Sequence, residues 1–165
     1  MSDLGNSFVK KSRSLITSDY LPKIQRCLDR LGTNDIWWRP NDVSNSIGNL
    51  VLHLCGNVTQ WIIGGVGQRP YVRQRQQEFD ERRHISAAEL RGALDAVVQQ
   101  ADEILSTIDN TMLLDDRHIQ GYDVSVLDAI YHVVEHFSMH TGQIILLSKA
   151  RIGEDLKLYA PAPSK

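Results

Sequence analysis

Apolar residues recur at intervals of three and four through four long stretches of this chain, a period that only packed helices satisfy. The first stretch runs from Leu4 to Leu31, with Leu15, Ile24, Leu28 and Leu31 facing inward. Pro22 interrupts it and is expected to kink or split the helix, because proline removes one backbone hydrogen bond. Gly32 stands where a C-terminal cap belongs. Residues 33–45 read as a loop. A second helix follows Ser46, its expected N-cap, along Ile47, Leu50, Val51, Leu54, Val58, Trp61 and Ile62, and should stop near Ile63 before Gly64, Gly65 and Gly67. After the polar connection from Gln68 to Ile85, Ser86 and Glu89 form a capping box that opens the third helix. Its apolar stripe is Leu90, Leu94, Val97, Ala101, Ile104, Leu105 and Ile108. Ser125 and Asp128 repeat the capping pattern, and the fourth helix should reach about Ala150. No run alternates as a strand would. The fold expected is all-α, a four-helix bundle formed as a single domain over residues 1–165, with a frayed tail from about residue 157. The long connection between helices two and three permits up-down-down-up order.

The 165 residues suffice for one domain with a real core. A net charge of −2 and a pI near 6.3 give no basic face for nucleic acid or an anionic membrane. No uncharged apolar run reaches the ~18 residues of a membrane span, and the N-terminus lacks a signal-peptide pattern. Cys27 and Cys55 imply no disulfide framework. These features lead to the expectation of a cytoplasmic protein.

Chemistry concentrates on the fourth helix. At ~100° per residue, Ala129, Val133, Phe137, Ile144 and Leu147 share one face, and His136 and His140 fall within it. Two imidazoles at i, i+4 can share a metal ion, and His53 lies in an equally apolar run on the second helix. A lone histidine on such a face is more often a hydrogen-bonded core residue. A pair plus a third histidine favours a metal, since each buried unpaired polar group costs about 1–3 kcal/mol. Three nitrogen ligands suit zinc, nickel, copper or iron(II) and leave a position open. No glutamate lies between the pair as a zinc-protease motif requires.

Other residues carry weaker signals. His132 continues the row but drifts ~40° per step, which places it at the rim of the site. Gln143, one turn beyond His140, is a candidate for holding bound water. Asn49 and Asn57 flank His53 on its own face, and either can orient that imidazole. Cys55 is turned ~200° from His53 and reads as a core residue, as does Cys27. The arginine-rich segment from Arg69 to His84 is balanced by Glu78, Asp80 and Glu81 and reads as a solvated loop rather than an anion site. Trp37 and Trp38, in a loop, suggest an interface between two copies of the chain, whereas Trp61 reads as packing.

Two segments, Asn45-Ser-Ile-Gly-Asn-Leu-Val-Leu-His53-Leu-Cys-Gly-Asn57 and Glu135-His136-Phe-Ser-Met-His140-Thr-Gly-Gln143-Ile144, resemble the DinB-like (YfiT-like) family of four-helix-bundle metalloproteins. That resemblance covers most of the chain. It implies His53, His136 and His140 as ligands of one divalent ion per chain, zinc or nickel, in an up-down-down-up bundle that is often a homodimer. It further implies a metal-dependent enzyme acting on a small molecule with a low-molecular-weight thiol, of S-transferase type. The alternatives are a metal-dependent hydrolase, or a non-catalytic metal-binding or metal-sensing bundle. Fold transmits the metal site better than it transmits substrate.

Overall fold

In a computed structural model, which describes residues 4–159, seven α-helices, two wide π-helical segments and one short hairpin surround a single hydrophobic core. The first expected helix is one helical path in three parts: α1 (Leu4–Ser14), the π segment π1 (Leu15–Tyr20) and α2 (Leu21–Asp29). The interruption expected at Pro22 takes the form of the π segment just before it, after which α2 begins with Pro22 in its first turn. Leu21 bonds back five residues to Ile16, and this wider turn carries the chain past a ring that would otherwise press on the carbonyl of residue 18. The inserted turn also shifts the inward position from Leu15 to the buried Ile16. Gly32 is not a left-handed cap. Its backbone is extended, and its carbonyl receives the amides of Asp35 and Ile36, so it begins the one-turn helix α3 (Thr33–Ile36).

Ser46 caps α4 (Ile47–Val58), and its partner in the capping box is Asn49. The helix does not stop at Ile63. It widens into π2 (Thr59–Val66), where Gly67 bonds back five residues to Ile62, so Gly64 and Gly65 are passed through. Between π2 and the next long helix, residues 67–86 cross the molecule and contain the short helix α5 (Arg75–Asp80). The Ser86–Glu89 box opens α6 (Ala87–Leu105), in which Val98 is buried in place of Val97. The Ser125–Asp128 box opens α7 (Val126–Ile152), which ends at Gly153 in the left-handed conformation (φ 69°). A left-handed backbone needs no strain at glycine.

The all-α expectation is corrected by a two-stranded antiparallel hairpin, β1 (Asp116–Ile119) and β2 (Tyr122–Ser125). Gln120 and Gly121 form its two-residue loop with φ of 56° and 84°. Two positive φ values define the tight turn whose twist matches paired strands. Four-residue strands are too short for alternation to register in the sequence.

The molecule remains mostly helical. α4 packs against both α6 and α7, while α7 also meets α2 and π2. Ile24, Leu54, Ile62, Leu94 and Phe137 are fully buried where these elements meet. Trp37 is buried within the chain: its ring covers Gly48, and its Nε1 donates to the Ile85 carbonyl at 2.9 Å. Trp38 packs under the Arg151 guanidinium, 4.8 Å from the ring centre. Neither residue requires a second copy, so the reason for expecting a two-fold contact there falls away. The expected frayed tail lies from residue 160 outside the described residues. Just before it, Leu156 is fully buried and its carbonyl accepts from Arg26.

Candidate metal centre

His53 on α4 and His136 and His140 on α7 converge where those helices pack. One ring nitrogen from each can be chosen so that all three lie within 4.8 Å of one another. His53 and His140 are buried and His136 is half-buried. The His53 and His136 Nε2 atoms stand 2.9 Å apart. The rings meet edge to face, with centroids 4.9 Å apart for His53–His136 and 4.4 Å for His136–His140.

What each imidazole does with its other nitrogen decides whether it can be a ligand. The Nδ1–H of His53 donates to Glu78 Oε2 at 2.8 Å, which leaves Nε2 with a lone pair toward the cluster. Glu78 is fixed in turn by Arg73, whose Nε and Nη2 donate to Oε1 and Oε2 at 2.7 and 2.9 Å; Arg73 Nη1 reaches Gln60 Oε1 at 2.6 Å. His140 donates Nδ1–H to Gln143 Oε1 at 2.7 Å, so its Nε2 also carries a lone pair. That Nε2 is buried with no hydrogen-bond partner. Native proteins seldom leave such an atom unsatisfied. Neutral, oriented, lone-pair-bearing imidazoles are the donor set that a borderline divalent ion takes, and these residues fit one.

Electrostatics favour the neutral form of the two α7 imidazoles. Burial, reinforced by His140, His53, His132 and Arg73, pushes the His136 pKa down to about 3. Burial also lowers His140, with Gln143 acting in the opposite direction. For Glu78, burial alone would raise the carboxyl. The hydrogen bonds from Arg73 and His53 outweigh it, and the net shift is downward, toward the carboxylate.

The four residues expected around the ligands take different places. Gln143 holds His140 itself through Oε1. Asn49 does not orient His53. Its amide nitrogen lies within 2.9–3.3 Å of the carbonyls of Glu78, Phe79 and Glu81, which pins α5 over the site. Asn57 faces the other way along α4 and pairs with His132 Nε2 at 3.2 Å. His132 lies at the rim as expected, its ring 5.4 Å from His136 and 4.1 Å from Trp61. Cys55 is no ligand, and burial pushes its thiol up to about 12.

The solvated-loop reading of the arginine-rich segment is corrected at Arg73 and Glu78, whose side chains are 5% and 11% exposed. Phe79 from the same turn covers His53 at 4.6 Å between ring centres. Sequence reasoning missed this trio because the contacts depend on the route of an irregular connection. One signal was present. Gly56 stands one turn after His53's neighbour Leu52, and a Cβ there would run into the Glu78 carboxylate and approach Arg73 Nε to 2.8 Å.

A helical bundle closing on three histidines defines the class, and its fold is similar to that of a DinB-like protein. It is similar to the crystal structure of a DinB-like protein from Bacillus cereus ATCC 10987, with a TM-score of 0.66 and 17% sequence identity, over 83% of this chain and 88% of that one. By sequence, the chain belongs to the family described as Protein of unknown function (DUF1572), whose pattern matches residues 3–163. Among curated proteins, nothing matches it.

Proposed function

We propose that the chain binds one divalent ion through His53, His136 and His140 and works as a metal-dependent enzyme that uses a low-molecular-weight thiol, an S-transferase. The observation that carries the metal reading is the buried, unpartnered Nε2 of His140 beside two imidazoles whose nitrogens stand 2.9 Å apart. Zinc or nickel suits an all-imidazole donor set with an open position. When bound, such an ion supplies a Lewis acid that acidifies a thiol or water near neutral pH. The chain's own residues do the rest. Glu78 and Gln143 hold the His53 and His140 tautomers, Arg73 holds Glu78, and Phe79 shields His53 from water. The thiol and its electrophilic partner would approach from the half-buried His136 side. An up-down-down-up bundle and a homodimer belong to the same reading.

Metal-loaded protein incubated with monochlorobimane and glutathione, bacillithiol or mycothiol should form the thioether well above the buffer rate. The His136→Ala variant should return to the buffer rate. A metal-loaded protein with no turnover of any of the three thiols would reduce the reading to a non-catalytic metal-binding bundle.

A further inference from the structure

A cavity of about 450 Å³ opens beside the histidine cluster, lined by Trp61, Gln120, Tyr122, Val124, Asp128 and His132. Its walls combine the indole of π2, two side chains of β2 and the start of α7. His132 belongs to both places, since its ring lies against Trp61 on one side and His136 on the other. The cavity therefore shares a wall with the metal centre.

Three observations bear on what it holds. Trp61, Tyr122 and Val124 provide an aromatic and apolar lining with few polar groups, the usual constitution of a small-molecule pocket. Tyr122 is 62% exposed, so the hairpin offers this ring to the cavity rather than to the core. Among the described residues, four buried side-chain polar atoms lack a partner; one, Trp61 Nε1, belongs to the lining, and a second, Asn57 Oδ1, sits on the residue paired with His132 behind it. The charge of the lining selects among ligands. No lysine or arginine lines the cavity. Asp128 caps α7 through Oδ2, and its carboxyl is held below the usual range by the Ser125 hydroxyl and backbone amide, so the mouth carries a negative charge.

We infer that this cavity binds a planar aromatic ring bearing an uncharged or positively charged substituent, the organic part of the substrate handled at the adjoining metal centre. The link to chemistry rests on the metal reading above; the binding itself does not. The hairpin thus acquires a purpose that a helical bundle alone would not need.

The test uses the full chain as purified, with its metal content measured on the same sample, and three probes with one ring: benzamidine, benzyl alcohol and benzenesulfonate. Amide NMR signals of Gln120, Tyr122 and Val124 should shift with the first two. Benzenesulfonate should bind about tenfold more weakly, because like charges meet at Asp128. Tyr122→Ser, an exposed position, should weaken benzyl alcohol about fivefold without altering metal content. Asp128→Asn keeps a helix-capping side chain and should erase the discrimination between benzamidine and benzenesulfonate. Probe binding without metal would sustain the pocket and sink the metal reading. Metal binding without these shifts, equal binding of benzenesulfonate, or indifference to Tyr122→Ser would overturn the pocket.

Discussion

Glu78 is the residue on which the candidate site most depends outside the three histidines. It accepts the His53 Nδ1–H and both donors of Arg73 in a place nearly closed to water. Glu78→Gln should weaken metal binding about 10- to 100-fold, the usual cost of losing an outer partner of a ligating histidine. Competition against a chromophoric chelator would measure it, and unchanged affinity would show that His53 needs no orientation. Gly56→Ala drives a methyl into the same carboxylate and should destabilise the fold by about 1–3 kcal/mol, as overpacking does. Proton binding separates the folded and unfolded chains at His136, which stays neutral in the fold down to about 3, against an ordinary value of 6.5. Below pH 6.5 the unfolded chain takes up a proton that the folded chain refuses. Metal-free protein should therefore have this stability in full above pH 6.5 and lose it as pH falls from 6.5 toward 3. Chemical denaturation between pH 7 and 5 isolates the imidazoles from the carboxylates. A His136→Phe variant should show a shallower loss, and an identical slope in the two proteins would refute the assignment. Residue-scale chemistry was well legible in the sequence where it was local. The His136–His140 pair follows from helix geometry alone, and His53 from its place on an apolar stripe. Glu78, Arg73 and the true partners of Asn49 and Asn57 were not legible, because no period links an irregular crossing to the helix beneath it.

Elements differ in how far their sequence announces them. The capping boxes at Ser86 and Ser125 fixed two helix starts, since a serine and an acid three residues apart satisfy each other's amides. The π segments were hidden, as a single added residue per turn leaves an apolar stripe almost unchanged while rotating the residues beyond it. The hairpin was hidden by its brevity, although Gln120-Gly121 left a faint mark in the glycine that its turn requires. The segment over the site is an element held at few points. Asn49 carries three of its carbonyls, and Trp37 carries that of Ile85. Asn49→Ala would leave those carbonyls unpaired and break the α4 capping box, at a cost of about 1–3 kcal/mol. Hydrogen exchange should then accelerate in α5 and in residues 67–86 ahead of α6 and α7. Uniform acceleration across all helices would mean that this segment is no separate unit.

For the whole molecule, the helices bury their own apolar faces, and Ile24, Leu54, Ile62, Leu94 and Phe137 need no ion to pack. No helix of the described residues is long and apolar enough to cross a membrane. A metal ion held by the three histidines would thus be an addition to a formed bundle rather than its nucleus. At a free concentration a hundredfold above the Kd, an ion binding only the folded chain adds about 2.7 kcal/mol. In a domain of this size that raises Tm by about 5–11 °C. The decisive measurement is metal content by elemental analysis after purification without chelator. The wild-type chain should hold close to one divalent ion per molecule, and the variant with His53, His136 and His140 all replaced by alanine should remain helical by circular dichroism and hold none. A folded triple variant that retains a full equivalent of metal would overturn the three-histidine site, because the ion would then belong to other residues.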